Sequence, residues 1–165
     1  MKSSRALAIV MAGLLLILLA IWVLRHVASR AVSPGGQELG CDASLWSHVY
    51  HPSRLEVIDA CKVVEGQIVS VRKEPDGDIH LRLRVGDRSL LNDANFSGQD
   101  GTLVLEIICA GPVTQRDAEA TCLGFQQNII IPERNEQVRV TGAFVRDREH
   151  GWNEIHPVTR VETIP

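Results

Sequence analysis

The sequence lacks the short motifs that mark many families of enzymes. It contains no glycine-rich phosphate loop, no dinucleotide-binding glycine motif and no nucleophile elbow. These absences argue against the nucleotide-dependent and α/β-hydrolase classes that such motifs identify. No two cysteines have the C-x-x-C spacing of a typical zinc site. Internal repeats and low-complexity runs are also missing, which argues against a repeat array.

The chain also lacks a surplus of basic residues. From Cys41 to the last residue, 13 lysines and arginines stand against 19 aspartates and glutamates. Proteins that bind nucleic acid gain much of their affinity from basic side chains that neutralise phosphates. The acidic balance therefore argues against nucleic acid as a partner.

The longest apolar run lies near the N-terminus. Residues 6–24 contain no charge, and at about 1.5 Å per residue a helix of this length spans roughly 30 Å of hydrocarbon. Basic residues flank both ends, and Trp22 is placed as an interfacial residue would be. We predict a short flank at 1–5 and an uncleaved transmembrane anchor at 6–24. The alternative is a cleaved signal peptide, whose apolar region is usually shorter.

The residues after the anchor divide into a linker and one domain. Residues 25–40 include a Pro/Gly-rich stretch and form the predicted juxtamembrane linker, and residues 41–165 suffice for a single modest core. All four cysteines lie in this domain, and an even number behind an export-type segment predicts two disulfides. Three pairings exist, of which we favour the local ones, Cys41–Cys61 and Cys109–Cys122. The domain is therefore expected outside the cytoplasm, in a periplasmic or extracellular location, on a single-pass membrane protein.

Alternation of apolar and polar residues predicts five strands in this domain. They lie within 61–73, 79–85, 102–109, 137–145 and a last run that begins at Trp152. Two short helices are expected, one near 42–49 with Asp42 as its N-cap and one within 114–122 after a Thr114 cap, whereas 86–101 is predicted to be a loop.

This order of elements is typical of a mainly β fold, a five-stranded OB-like barrel with a short helix between strands 3 and 4. In OB folds, the loops that join strands 1–2 and 4–5 flank the ligand-binding face. Here these loops are 73–78 and 146–151. Both contain Gly next to a polar residue, as tight hairpins require.

Several stretches resemble an uncharacterised family of microbial extracytoplasmic OB-fold-like domains. They are PDGDIHLRL, the strand that contains Glu106 and leads to Cys109, VTGAFVRDREHGWNEIHPV, and the N-terminal segment YHPSRLEVIDACK. Together they cover most of residues 41–159. The resemblance implies a fold and a location but no chemistry. Residues 69–78 are also similar to the strand and turn of staphylococcal-type nucleases. Of the residues that hold calcium and phosphate in those OB barrels, only Asp76 and Asp78 have counterparts here.

Polar residues concentrate in the two predicted loops and on one face of the neighbouring strands. Imidazole and carboxylate groups are competent ligands for divalent metal ions, and a glutamate beside such an ion can act as a general base. The candidate metal ligands are His80, His150, Glu154 and His156. The candidate ligand-binding residues are Asp76, Asp78, Arg82, Arg84 and Trp152. The competing interpretation is structural: hairpin chemistry for the loops, and packing or solvent exposure for the histidines and Trp152.

These observations lead to a functional hypothesis and two alternatives. The first is a membrane-anchored binding or interaction module for an envelope protein, a glycan or a small molecule. An alternative is a metal-dependent, nuclease-like hydrolase that uses Asp78, His80, Glu154 and His156, with a divalent metal ion as its candidate cofactor. The last is a scaffold domain without a ligand. On balance the residues favour a protein that is not an enzyme.

Overall fold

The computed structural model describes residues 40–165. Within them the chain is mainly β, with five strands in one mixed sheet and few helices. The strands are β1 (Leu55–Lys73), β2 (Ile79–Val85), β3 (Leu103–Ile107), β4 (Gln137–Asp147) and β5 (Asn153–Thr163). Short α-helices lie at Asp93–Gly98 and Glu119–Cys122, and 3-10 helices at Ala43–His48, Pro52–Arg54 and Arg88–Leu90.

The strands pair in the order β1-β2-β3-β5-β4, and β4 pairs with β1 again. All pairs are antiparallel except β3 with β5, which is parallel and has only two registered residue pairs, Val104 with Glu154 and Leu105 with Ile155. The long strand β1 takes part in two pairings because its second half lies against β2 while most of its length lies against β4.

One face of the sheet carries the main hydrophobic core. The alternating apolar side chains of β2, Ile79, Leu81 and Leu83, are all buried in it, together with Leu105 of β3 and Ile155 of β5. Because side chains alternate along a strand, the residues between them point to the opposite face. That outward face carries the polar residues of the site described below.

The disulfides Cys41–Cys61 and Cys109–Cys122 are both present, so the local pairing is confirmed. Disulfides persist in oxidising compartments, which indicates an environment outside the cytoplasm. A second, smaller apolar cluster lies beside them and joins the N-terminal 3-10 helix to β4. It contains Leu45, Val49, Leu55, Ile108, Ala143 and Val145.

The helices differ from the sequence prediction in two places. The helix expected within 114–122 covers only Glu119–Cys122, since the backbone N–H of Thr114 instead donates to the carbonyl of Pro75. Residues 86–101, predicted to be a loop, contain the helix Asp93–Gly98. Asn92 and Asn95 form a capping box there, an arrangement in which two side chains satisfy each other's backbone N–H groups. The N-terminal helix and its Asp42 cap are as predicted.

The predicted flank at 1–5, the anchor at 6–24 and the linker up to residue 39 lie outside the described residues. Within 40–165, the structure has no helix of the length and apolar character needed to cross a membrane.

Candidate functional site

A cleft of about 210 Å³ opens between the β1–β2 loop and the β4–β5 loop. Pro75 and Asp76 contribute one wall, and His150 and Trp152 the other. The remaining lining residues come from the strands and the neighbouring segments: Arg54, Arg72, Glu74, His80, Glu106, Gln115, Asp147 and Glu154. The two loops that an OB fold would use for its ligand therefore border one cleft.

The floor of the cleft is formed by the outward face of the central strands. His80 of β2 is directly paired with Glu106 of β3, and the parallel register of β3 with β5 places Glu154 and His156 alongside. All four side chains alternate with core residues, so they point away from the main core. They are nevertheless almost completely covered: His80 is 6% exposed, and Glu154 and His156 are each 1% exposed.

His80 and Glu106 form the first of two buried imidazole–carboxylate pairs. His80 Nδ1 donates to Glu106 Oε1 at 2.8 Å. Burial raises the pKa of the Glu106 carboxyl, although its bond to His80 opposes this shift. Burial disfavours the charged imidazole of His80, yet the hydrogen bond to Glu106 and the negative charges of Glu106 and Glu74 together outweigh it, and the pKa of His80 is raised. The second carboxylate oxygen of Glu106, Oε2, is buried without a hydrogen-bond partner.

Glu154 and His156 form the second pair. His156 Nδ1 donates to Glu154 Oε1 at 3.0 Å, and the indole N–H of Trp152 donates to Glu154 Oε2 at 2.8 Å. Burial opposes the charged form of His156, but the hydrogen bond to Glu154 and the negative charges of Glu154, Glu106 and Asp78 together outweigh burial, and the pKa of His156 is raised. His156 Nε2 is the second buried polar atom without a partner.

Asp78 lies beneath these pairs and interacts electrostatically with His156 and Glu106. Its Oδ1 accepts a hydrogen bond from the backbone N–H of Cys109 at 2.8 Å. Burial in a site without a cationic hydrogen-bond partner raises the pKa of Asp78 to about 7. The sequence motif PDGDIH thus places one carboxylate, Asp76, on the cleft wall and the other in the interior.

The rim of the cleft is held by Asp147, whose side chain is fully buried. It forms an ion pair with Arg54 and accepts from His150 Nδ1 at 2.7 Å and from the backbone N–H of Glu149 at 2.8 Å. The ring of His150 stacks on Trp152, with centroids 4.4 Å apart and planes within 5°. The hairpin tip thereby presents a flat aromatic surface to the cleft.

The predicted metal ligands lie in one region, but each histidine is bonded to its own carboxylate. His80, His150 and His156 all use Nδ1 for this bond, the arrangement in which metal-ligating histidines are usually held. Among the described residues, one group of His, Cys, Asp or Glu side chains places three donor atoms within 4.8 Å of one another. It consists of Asp78, Cys109 and Cys122. The two sulfurs of that group are joined in a disulfide. Metal binding by the four predicted residues stays a prediction.

The predicted ligand-binding residues are divided by the fold. Asp76 and Trp152 line the cleft. Arg82 lies in an adjacent groove and is bonded to Ser70 and Asp100, while Arg84 is bonded to Gln67 and lines neither the cleft nor that groove. Both arginines of β2 are therefore paired with neighbouring polar side chains.

Glu106, Asp147 and Arg54 are site residues that the sequence indicated weakly or not at all. Glu106 gave one signal, as the charge that interrupts an apolar strand. Asp147 and Arg54 gave none, because they lie in charged stretches near turns and are 93 residues apart. No protein-family model and no curated protein matches this chain.

Proposed function

We propose that this chain is an extracytoplasmic binding module. It uses an OB-like barrel, tethered by the anchor predicted at 6–24, to bind a small molecule, a glycan or a segment of an envelope protein. The observation that carries the proposal is the cleft between the β1–β2 and β4–β5 loops, whose floor consists of buried charged side chains. Its barrel component is supported by the order of strand pairs and by the helix Glu119–Cys122 between β3 and β4.

The energetics of the floor favour a binding role over a purely structural one. Burying charged or unpaired polar groups costs stability, and well-packed apolar side chains would generally fill the same space at lower cost. Here Glu106 Oε2 and His156 Nε2 are buried without partners, close to a cleft that is open to solvent. A scaffold domain without a ligand has no need for such groups, whereas a binding site uses them to select what it binds.

Site-specific photo-crosslinking in cells tests the proposal. In the full chain, a photoreactive residue replaces His150. The side chain of His150 lies at the cleft rim and is 49% exposed. The matched control carries it at Glu162 near the end of β5, a 39% exposed side chain that does not line the cleft. We expect a discrete mass increase at position 150 and none at position 162. Equal labelling at both positions, or no adduct at either, would contradict a binding role for the cleft.

A second candidate function is the metal-dependent hydrolase. It is favoured by the Nδ1–carboxylate bonds of His80 and His156, which leave Nε2 of each ring without a hydrogen bond to protein. Against it, each oxygen of Glu154 already accepts a hydrogen bond, from Trp152 or His156, and the carboxylate is 1% exposed, which lowers its basicity and its access to a substrate water. Hydrolysis of bis-p-nitrophenyl phosphate with Zn²⁺ or Mn²⁺ would distinguish the two functions. Turnover by the full chain that disappears in His80→Ala would establish the hydrolase; its absence is what the binding module predicts.

A further inference from the structure

A groove of about 410 Å³ lies beside the cleft, on the outward face of β1 and β2. Two directly opposed residue pairs form most of it, Ser70 with Arg82 and Arg72 with His80. Gln99, the C-cap of the short helix before β3, contributes from the other side. Of the residues that line this groove, three are basic and none carries a carboxylate.

The carboxylates that pair with the two arginines lie outside the groove. Glu74, the partner of Arg72, lines the neighbouring cleft. Asp100, the partner of Arg82, has a side chain that is 85% exposed, so solvent screens this ion pair and it contributes little. The pair of Arg72 uses Nε and that of Arg82 uses Nη1. Each guanidinium therefore has further N–H groups that a ligand in the groove can use.

The arrangement of Arg72 and His80 favours an anion in the groove. The two residues are directly opposite each other and line both the groove and the cleft. The carboxylate bonded to His80, that of Glu106, lines the cleft and not the groove. The positive charge of Arg72 opposes protonation of His80 and works against the otherwise raised pKa of this imidazole. Like charges that face each other across two strands destabilise a sheet, and an anion between them would relieve the repulsion.

Gln99 points to a ligand independently of the charges. It is 8% exposed, and its backbone N–H and C=O groups are bonded to Asn95 and Thr102. Its side-chain amide, in contrast, forms no hydrogen bond with any residue that the structure describes. A buried amide without a partner costs stability, and this one lines the basic groove. Its NH₂ group is therefore a donor that the protein itself leaves unused.

The donors of the groove suit a tetrahedral oxyanion. Ser70 Oγ accepts from Arg82 Nε at 2.9 Å, so the hydroxyl hydrogen of Ser70 is left to donate. Guanidinium, hydroxyl and amide donors thus reach the groove from two strands and from the end of a helix. A phosphate group presents several strong acceptor oxygens in different directions, whereas the two oxygens of a carboxylate share one plane. Arginine is also well matched to phosphate, because its planar fork can donate two parallel bonds.

We propose that this groove binds a phosphate group, held by Arg72, Arg82 and the side-chain amide of Gln99. The site is separate from the cleft of the proposed function, and the inference does not depend on that function. Soluble phosphate and the phosphate of a lipid head group present the same oxygens, so the ligand is defined by this shared chemistry and the experiment distinguishes the two sources.

Titration calorimetry of the full chain with inorganic phosphate, at an ionic strength fixed with sodium chloride, tests the proposal. We expect binding at a single site. Arg72→Gln should weaken it at least about tenfold, because the variant loses a charged donor. Arg139→Gln is the matched control, since Arg139 is likewise an exposed arginine paired with a glutamate, Glu65, but lies outside the groove. Absence of binding by the wild type, or equal affinity in the two variants, would overturn the proposal.

Gln99→Leu tests the buried amide without altering the arginines. Leucine is of similar size and has no polar group to satisfy, so without phosphate the variant should unfold at a urea concentration no lower than the wild type. Its affinity for phosphate should nevertheless fall at least about tenfold, because a hydrogen bond to a charged ligand is lost. A lower urea midpoint together with unchanged phosphate affinity would mean that the amide serves the fold, and would overturn the proposal.

A parallel titration with dihexanoylphosphatidylglycerol, a short-chain soluble lipid, distinguishes the sources of phosphate. Tighter binding of this lipid than of inorganic phosphate would identify a lipid head group, and weaker binding would identify a soluble phosphate. Binding of neither would overturn the proposal. The groove and the cleft are tested separately: an adduct at position 150 without phosphate binding leaves only the binding module standing, and phosphate binding without an adduct leaves only the groove.

Discussion

Glu106 and Asp78 are buried carboxylates that have no arginine or lysine as a hydrogen-bond partner. The carboxylate of Glu106 is hydrogen-bonded to His80, whereas that of Asp78 accepts one hydrogen bond, from the backbone N–H of Cys109. Burial raises the pKa of both carboxyl groups, which means that the folded chain binds protons that the unfolded chain releases. Their contribution to stability therefore depends on pH, and Asp78 offers the clearest test.

We predict that Asp78→Asn stabilises the chain at alkaline pH. The pKa of Asp78 is about 7 in the folded state and 3.8 in its reference state, so in the wild type stability is lost as pH rises from about 4 to about 7. The full loss corresponds to at most about 4 kcal/mol, and asparagine does not incur it. Urea unfolding at pH 4 and pH 8 should therefore show a small difference between the two proteins at pH 4 and a higher midpoint for Asp78→Asn at pH 8.

The control for this prediction is Asp76→Asn, which neutralises a half-buried carboxylate in the same turn. If Asp76→Asn raised the urea midpoint at pH 8 by the same amount, the effect would reflect removal of any negative charge from the turn and not the burial of Asp78. His80 and His156 act in the same direction as Asp78, because their raised pKa values give stability that is present below about pH 6.5 and lost as pH rises through the folded-state pKa. Asp78 itself contributes to the raised pKa of His156, so Asp78→Asn also lowers that pKa.

At the scale of elements, Gly66 in β1 is a position where the sheet requires glycine. It is paired with Val85 of β2 on one side and with Val138 of β4 on the other. A Cβ at this position would overlap the backbone carbonyl of Arg84 and would lie 3.0 Å from Leu83 Cγ. The close approach of two backbones explains why glycine occurs in the middle of a strand that is otherwise rich in β-branched residues.

We therefore predict that Gly66→Ala destabilises the chain by about 2–3 kcal/mol, since overpacking at backbone contacts cannot be relieved by a side-chain rotation. Gly86→Ala is the matched control, because no atom lies within 4 Å of the added Cβ. That substitution should change the free energy of unfolding by less than about 1 kcal/mol. Urea unfolding of both variants measures the difference, and equal midpoints would show that β1 moves away from β2 at low cost.

For the described domain as a whole, the disulfides connect the segments that surround the core. Cys41–Cys61 joins the N-terminal segment to β1, and Cys109–Cys122 connects the end of β3 to the helix Glu119–Cys122. The second of these disulfides lies next to the cleft floor, because the carboxylate of Asp78 is within 4.8 Å of both sulfurs. Stability and the geometry of the candidate site are therefore linked at this point.

Replacing Cys109 and Cys122 together by serine should lower the free energy of unfolding by about 3 kcal/mol, the expected effect of opening a loop whose ends are 13 residues apart. The Cys41→Ser/Cys61→Ser protein is the control, with a sequence separation of 20 and a similar expected loss. Only the first variant should also change the titration of Asp78, followed by its carboxyl ¹³C signal. An unaltered Asp78 titration would contradict the link between this disulfide and the cleft floor.

The sequence by itself determined the number and order of the strands and the disulfide pairing, because both depend on local order. The start of β1 was predicted at residue 61 but lies at Leu55. Period-2 alternation fixes which residues of a strand share a face, as Ile79, Leu81 and Leu83 do. Each disulfide closes a short segment, so proximity along the chain favoured the correct partners. The short helix Asp93–Gly98 was not predictable in this way, since its capping box is supported by contacts between Asn95 and Asn153, 58 residues away.

The tertiary structure alone decided what covers the outward face of the sheet. Alternation places His80 and Glu106 opposite the core, but it does not distinguish a solvated face from one enclosed by loops. Trp152 and the two hairpin tips border this face, and the order of strand pairs brings them to the same cleft. Hydrogen bonds such as those of His80 with Glu106 and Arg54 with Asp147 join residues that are 26 and 93 positions apart. Their partners follow from the register and the enclosure of the site, and neither is encoded in a local pattern.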